Sequence, residues 1–283
     1  MKKLMNQKER LGSILLKGIL CTVVLLSSCD TNDDNNEKLE KQVVKEELKK
    51  GFFLGEEIIY VRKDGKNIFQ GDMLITDEQL NENKQNRAAV RRSLRWPNRT
   101  VYYTFSKKLM SNDNKDLLYR VYAAIRDFKT ETNVIWEYRS DYTPSCVTFD
   151  TNGRAGDSGF ATVGNQRGVK YISLNNEASY PTIIHEMGHT IGLYHEQSRN
   201  DRDNHITINW HNIENGFRHN FEKMSGIVDI GPFDVNSIMM YHSYSYSKNN
   251  QPTIVLKDGN TFGHNYIGFT QNDINAINRM YPR

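Results

Sequence analysis

Hydrophobic and polar positions change texture several times along the chain. Gly18 to Ser28, GILCTVVLLSS, is a short apolar run behind a positively charged start. It is too short to cross a bilayer as a mature helix and has the shape of an export signal. DTNDDNNEKLEKQ follows, a polar acidic stretch with too few apolar residues to build a core. Between Val43 and Asn86, Ile58 to Arg62, the turn Lys63-Asp64-Gly65-Lys66 and a further apolar stretch predict a hairpin. Beyond it, RTVYYTFSKKL (99–109) has the β-branched and aromatic content of a strand. DLLYRVYAAIRDFKTET is spaced as a helix behind N-cap candidates at Ser111 to Asn114, with Val121, Ala124, Ile125 and Phe128 toward a sheet. VIWEYRS, CVTFDT and VKYISL predict further strands. The glycine-rich GRAGDSGFATVGNQRG lacks a G-K-[ST] ending and a following helix, so it reads as a loop on a cleft rim rather than a phosphate cradle. Asn212 to Phe221 is partly helical, and FTQNDINAINRMYPR is a closing helix with Asp273 near its start. Strands and helices both occur along the chain, and the expected fold class is α+β.

Composition narrows the picture. The 283 residues suffice for one substantial domain with attachments, and a net charge of +3 with 25% charged residues does not suggest a nucleic-acid partner. The arginines cluster only at Arg87, Arg91, Arg92, Arg95 and Arg99. Of three cysteines, Cys21 and Cys29 belong to the signal, leaving Cys146 in the body as a buried apolar residue with no disulfide partner.

The candidate chemistry lies in YPTIIHEMGHTIGLYHEQSRNDRD, which holds H-E-x-x-H-x-x-G-x-x-H at His185, Glu186, His189, Gly192 and His195. Residues four apart share a helix face, so His185 and His189 can grip one metal ion. Glu186 lies beside them, in reach of a water on that metal. Gly192 accepts a positive φ, so it can end the helix and bring His195 round as third ligand. Three protein ligands with one open position describe a catalytic zinc site. Ile183, Ile184, Met187, Ile191 and Leu193 supply the buried face of that helix.

The run HEMGHTIGLYHEQSRNDRD, with Ser237-Ile238-Met239-Met240-Tyr241 downstream as a Met-turn, resembles the astacin-type metzincin zinc peptidases. The resemblance covers about Ala88 to the C-terminus and implies a zincin-like domain of two subdomains around a cleft, with a mixed twisted sheet and a zinc helix. It implies one catalytic Zn2+ on His185, His189 and His195, Glu186 as general base and Met239 packed beneath the histidines. Tyr241 becomes a switchable further ligand and oxyanion donor. Val169 to Leu174 becomes the edge strand that pairs with a substrate peptide. Phe69-Gln70-Gly71-Asp72 resembles the F-x-G-D motif of the family's propeptides, in which Asp72 takes the water's place on zinc and keeps the enzyme latent. Cleavage by a trypsin-like protease after Arg87 would start the mature chain at Ala88, its new amine held by Glu196. The lone Cys146 departs from the disulfide-bearing animal members.

Leu26-Ser27-Ser28-Cys29 resembles a bacterial lipobox. The expected organisation is therefore a lipoprotein-type signal at 1–29, a propeptide at 30–87 and a peptidase domain at 88–283. The lipid anchor sits on the propeptide, so the precursor is held at the envelope and maturation releases a secreted enzyme. The expected partners are protein or peptide substrates, the inhibitory propeptide and the activating protease. Arg218 and Lys248 are candidates for a pocket that takes an acidic substrate residue. The alternatives are an inactive zinc-containing module that binds peptides or glycans, against which Glu186 argues, and a thermolysin-type enzyme, against which Gly192 and His195 argue.

Overall fold

The computed structural model describes residues 47–80, 94–140, 146–156 and 158–283. The export signal, Cys29 and the Arg87–Ala88 bond lie outside the described residues. Nine strands form one sheet in the order β1-β2-β3-β4-β8-β9-β7-β5-β6. β1 (Glu47–Phe53), β2 (Glu56–Lys63), β3 (Lys66–Phe69) and β4 (Met73–Ile75) are an antiparallel meander, followed by a short helix α1 (Asp77–Leu80). The Asp64-Gly65 turn, with both residues in the left-handed region, joins β2 to β3 as the alternation and turn residues predict.

β5 (Thr100–Phe105), β6 (Ile135–Tyr138), β7 (Val147–Thr151) and β9 (Lys170–Leu174) run parallel, and β8 (Gly159–Thr162) is antiparallel to β9. β4 then adds to β8 in parallel, pairing Met73 with Ala161 and Leu74 with Thr162. Three expectations change here. Val169–Leu174 is not an edge strand, because β9 has β7 on one side and β8 on the other. The glycine-rich stretch is not all loop, because its GFAT segment is β8. Arg99–Leu109 also shortens to β5, with turns after Phe105.

Helix α2 (Lys115–Glu131) buries Leu117, Val121, Ala124, Ile125 and Phe128, one stripe at helical spacing. Phe128 meets Trp136 of β6 edge-on at 5.5 Å. Helix α3 (Tyr180–Thr190) lies against β8, β9 and α2, with Ile183, Ile184 and Met187 fully buried in the main core. Buried Cys146 precedes β7. A second cluster joins meander residues Phe53, Phe69 and Met73 to Leu94, Val163 and Met224, so the meander shares its core with the chain it covers. Asn212–Phe221 is partly helical, running from the end of one 3-10 turn (Trp210–Asn212) to a second (Arg218–Phe221), and β10 (Ile206–Ile208) pairs with β11 (Ile254–Leu256) in a small second sheet. Helix α4 (Gln271–Met280) closes the fold with a capping box between Thr270 and Asp273.

Candidate metal centre

α3 starts where Ser179 accepts from Thr182 N and Pro181 sits in the first turn. It ends in a Schellman motif: Gly192 N donates to His189 O (2.9 Å) and Leu193 N to Gly188 O (3.0 Å), with Gly192 at φ 98°. That turn carries His195 back beside His185 and His189, and the three ring centroids lie 4.6–5.3 Å apart. His185 Nδ1 donates to Ile238 O and His189 Nδ1 to Leu193 O, each at 2.8 Å. A carbonyl only accepts, so both rings carry their proton on Nδ1 and turn the Nε2 lone pair inward.

The fourth group comes from the meander. Asp72 Oδ2 is 3.2 Å from His195 Nε2 and 3.4 Å from His185 Nε2, and Oδ1 is 3.4 Å from His189 Nε2. One ligand atom from each of these four residues falls within 4.8 Å of the others. Burial opposes the Asp72 charge, while protonated rings at His195, His185 and His189 would hold the carboxyl well below its ordinary range. Asp72 Oδ1, His185 Nε2, His189 Nε2 and Glu186 Oε2 are buried with no hydrogen-bond partner. Converging lone pairs that satisfy nothing are unfavourable unless a cation sits among them. Three imidazoles and a carboxylate are the donor set that suits zinc, so the residues fit that ion.

Glu186 is 2% exposed, and burial first, then the Asp72 carboxylate, push it well above the ordinary range. A Cβ at Gly159 would come within 2.9 Å of its Cγ, so β8 opens on a residue that leaves it room. Met239 Sδ packs against Gly188 of the helix. Tyr241 is buried beside His195 at 4.6 Å between centroids, and its hydroxyl donates to Gln70 O. Burial, then Tyr246, raises its phenol well above 10, so it stays a proton donor. Glu196 Oε1 accepts from Asp234 N (2.8 Å) and lies 3.4 Å from Arg199; burial raises it to about 8 although Arg199 opposes the shift. A cavity of about 150 Å³ adjoins it, lined in part by Arg199, Asp273, Ile191 and Met280. Arg218 and Lys248 are exposed.

Several contributors carry no local sequence signal. Gln70 is fully buried: Oε1 accepts from Ser198 Oγ (3.0 Å) and faces His195 Nδ1 (3.3 Å), and Nε2 donates to Glu222 O (3.3 Å). Asp273 accepts from Ser237 Oγ (2.6 Å) and Ile238 N (3.1 Å), tying the turn that holds His185 to the start of α4. The capping-box spacing of Thr270 and Asp273 is the one readable hint of it.

A mixed sheet, a helix bearing paired histidines, a third histidine beyond a glycine turn and a methionine turn beneath them make an astacin-like metzincin fold. The family model Astacin, which describes a peptidase family, matches residues 88–282, and the chain belongs to that family. Blastula protease 10 of Paracentrotus lividus is 33% identical over 233 residues, 75% of this chain and 38% of that protein. Flavastacin of Elizabethkingia meningoseptica is 33% identical over 225 residues, 74% and 50% of the two. Astacin-like metalloprotease toxin 2 of Loxosceles intermedia is 31% identical over 232 residues, 77% and 84% of the two. High choriolytic enzyme 1, a hatching enzyme zinc-protease of Oryzias latipes, shares the fold at a TM-score of 0.56 and 24% identity, over 66% of this chain and 92% of that one. The chain spans between about two fifths and half of the first two relatives.

Proposed function

We propose that the chain is a zinc-dependent endopeptidase made in a latent form. The observation that carries this reading is the seat of Asp72 among the three inward Nε2 atoms, next to the unpartnered Oε2 of Glu186. Family membership and the names of relatives, such as Zinc metalloproteinase nas-7 of Caenorhabditis elegans, support it. Bound zinc supplies the positive charge that acidifies a water and polarises a carbonyl. Glu186 takes the proton from the attacking water at its carboxylate and hands it to the leaving amine. Tyr241, freed from Gln70, donates its hydroxyl proton in a hydrogen bond to the developing oxyanion. β8 offers its edge to an extended substrate once β4 leaves. Asp72 and β4 together cover the site until then.

The rest of the reading follows from the N-terminal sequence. Met1–Ser28 directs export, Cys29 carries the lipid, and cleavage after Arg87 frees a soluble enzyme. The new amine at Ala88 then seats in the cavity beside Glu196. Among the described residues no helix is long and apolar enough to cross a membrane.

Trimming the purified chain with a trypsin-like protease, then measuring zinc, the new N-terminus and hydrolysis of a mixed peptide library, tests this directly. The expected result is one zinc per chain, a start at Ala88 and turnover. Glu186→Gln is expected to keep its zinc and lose hydrolysis by about 1,000-fold or more. Turnover at the unchanged rate in that variant rejects the general base. A trimmed protein that holds zinc and peptide without cutting would instead be a binding module.

A further inference from the structure

Tyr246 stands in the site without a part in the chemistry described so far. Its backbone lies at φ 53°, a left-handed conformation that a bulky side chain adopts only when its surroundings impose it. Those surroundings are on every side. Its ring stacks on Phe217 at 4.8 Å and 24°, meets Phe221 edge-on at 6.1 Å and lies 5.6 Å from Tyr241. Its carbonyl accepts from Glu214 N at 2.9 Å, next to the bridge between Ile213 and Ser247.

The hydroxyl is the group this scaffold aims. A Cβ built on Gly71 would overlap Tyr246 Oη and lie 3.1 Å from Tyr241 Oη, so the two phenol oxygens converge on one point beside Asp72. The Asn220 side chain and the Tyr241 hydroxyl are hydrogen-bonding neighbours of Tyr246 Oη, and the Asp72 carboxylate is its charged one. Asn220 is 1% exposed and its Oδ1 is unpartnered, so the amide group is the end that serves Tyr246. Tyr241 gives its single proton to Gln70 O. The proton between the two phenols must therefore come from Tyr246. The order is Asn220 amide to Tyr246 oxygen, Tyr246 proton to Tyr241 oxygen, Tyr241 proton to a carbonyl, and each step polarises the next. When Gln70 leaves, the carbonyl at the end of this chain is the one a substrate brings.

We propose that Tyr246 is a positioning residue that holds the Tyr241 hydroxyl, through its own hydroxyl and the Asn220 amide, at the point where the oxyanion forms. This rests on the peptidase reading and on Tyr241 as its donor.

The test is a double-mutant cycle in the trimmed enzyme. Tyr246→Phe keeps the stacked ring and removes only the hydroxyl. It is expected to lower kcat by about 5- to 20-fold with KM within about twofold, the range of one lost hydrogen bond. In a Tyr241→Phe background it is expected to change nothing further. A second readout needs neither zinc nor turnover. Calorimetric binding of a synthetic peptide spanning residues 68–74 to the zinc-free trimmed protein reads the Tyr241 bond to the Gln70 carbonyl. Each single variant is expected to bind about 5-fold more weakly, and the double variant no worse than either. Additive losses in both readouts, or an unaltered Tyr246→Phe, overturn the proposal and leave Tyr241 its role. An unaltered Tyr241→Phe removes the donor itself, and this proposal with it.

Discussion

Gly192 and Gly71 both turn the chain in the left-handed region, at φ 98° and 90°, and each delivers a side chain to the same centre. Gly192 delivers His195 as part of a helix end whose carbonyls it also caps. Gly71 delivers Asp72 from a turn between two short strands. Space separates them further. A Cβ at Gly192 would meet only Met280 Cε, at an ordinary 3.6 Å, whereas one at Gly71 would run into Tyr246. The first glycine is required for its backbone angle, the second for angle and room together. A permanent ligand is thus built into secondary structure, and a removable one is pressed into a gap that the departing segment vacates.

The largest effect expected of this contrast is at Asp72. Asp72→Ala in the uncut chain removes the carboxylate from three imidazoles and leaves β4 with one hold fewer, its pairing with β8. Losing a buried charge partner is worth about 3 kcal/mol or more, so turnover of the uncut chain is expected to rise about 100-fold. Peptide hydrolysis by uncut protein, checked intact by mass, reads this. Unchanged latency would place the block in the strand pairing and not in the turn.

A matched pair of alanines comes next. Gly71→Ala meets both strain and overlap, about 2–4 kcal/mol, and is expected to raise turnover of the uncut chain about 30-fold or more while the trimmed enzyme is unaffected. Gly192→Ala meets backbone strain alone, about 1–2 kcal/mol, and is expected to lower the melting temperature by several degrees and weaken zinc retention against a chelator. Equal effects of the two changes on latency would erase the distinction between a permanent and a removable arm.

The two arms are also unequally legible. His185, Glu186, His189, Gly192 and His195 sit at offsets that helix geometry alone converts into positions, so the spacing carries the local arrangement. Asp72 can be placed only by resemblance, because nothing within FQGD says what it will face. β8 escapes a reading by pattern because glycines surround GFAT, and β9 passes for an edge because edge or interior is decided by neighbours distant in sequence. Three-residue β4 carries too short an alternation to announce a parallel partner. Gln70 and Asn220 are buried and Tyr246 half-buried against partners distant in sequence, a tertiary outcome without local pattern.

The smallest effect expected concerns how far support for the removable arm spreads into its meander. Asp77 Oδ1 accepts from Arg62 Nη1 and from Asn67 Nδ2, each at 2.8 Å, and Asn67 also donates to Ile75 O, so one carboxylate ties β2, β3 and the end of β4. Arg62 first, then Asn67, lowers its pKa below 3.8. A depressed carboxylate contributes stability that is present above the unfolded value and is lost as pH falls through the folded one. The side chain is 62% exposed, so solvent screens most of this contribution. Asp77→Asn is therefore expected to lower the melting temperature of the uncut chain by no more than about 2 °C at neutral pH, with the two melting curves converging as pH falls below 3.8. Latency is expected to stay whole, because the turn at Gly71 and the seat of Asp72 are untouched. If this exposed change opened the site as far as Gly71→Ala does, the removable arm would be the entire meander, and the difference between the two glycines would not be what governs release.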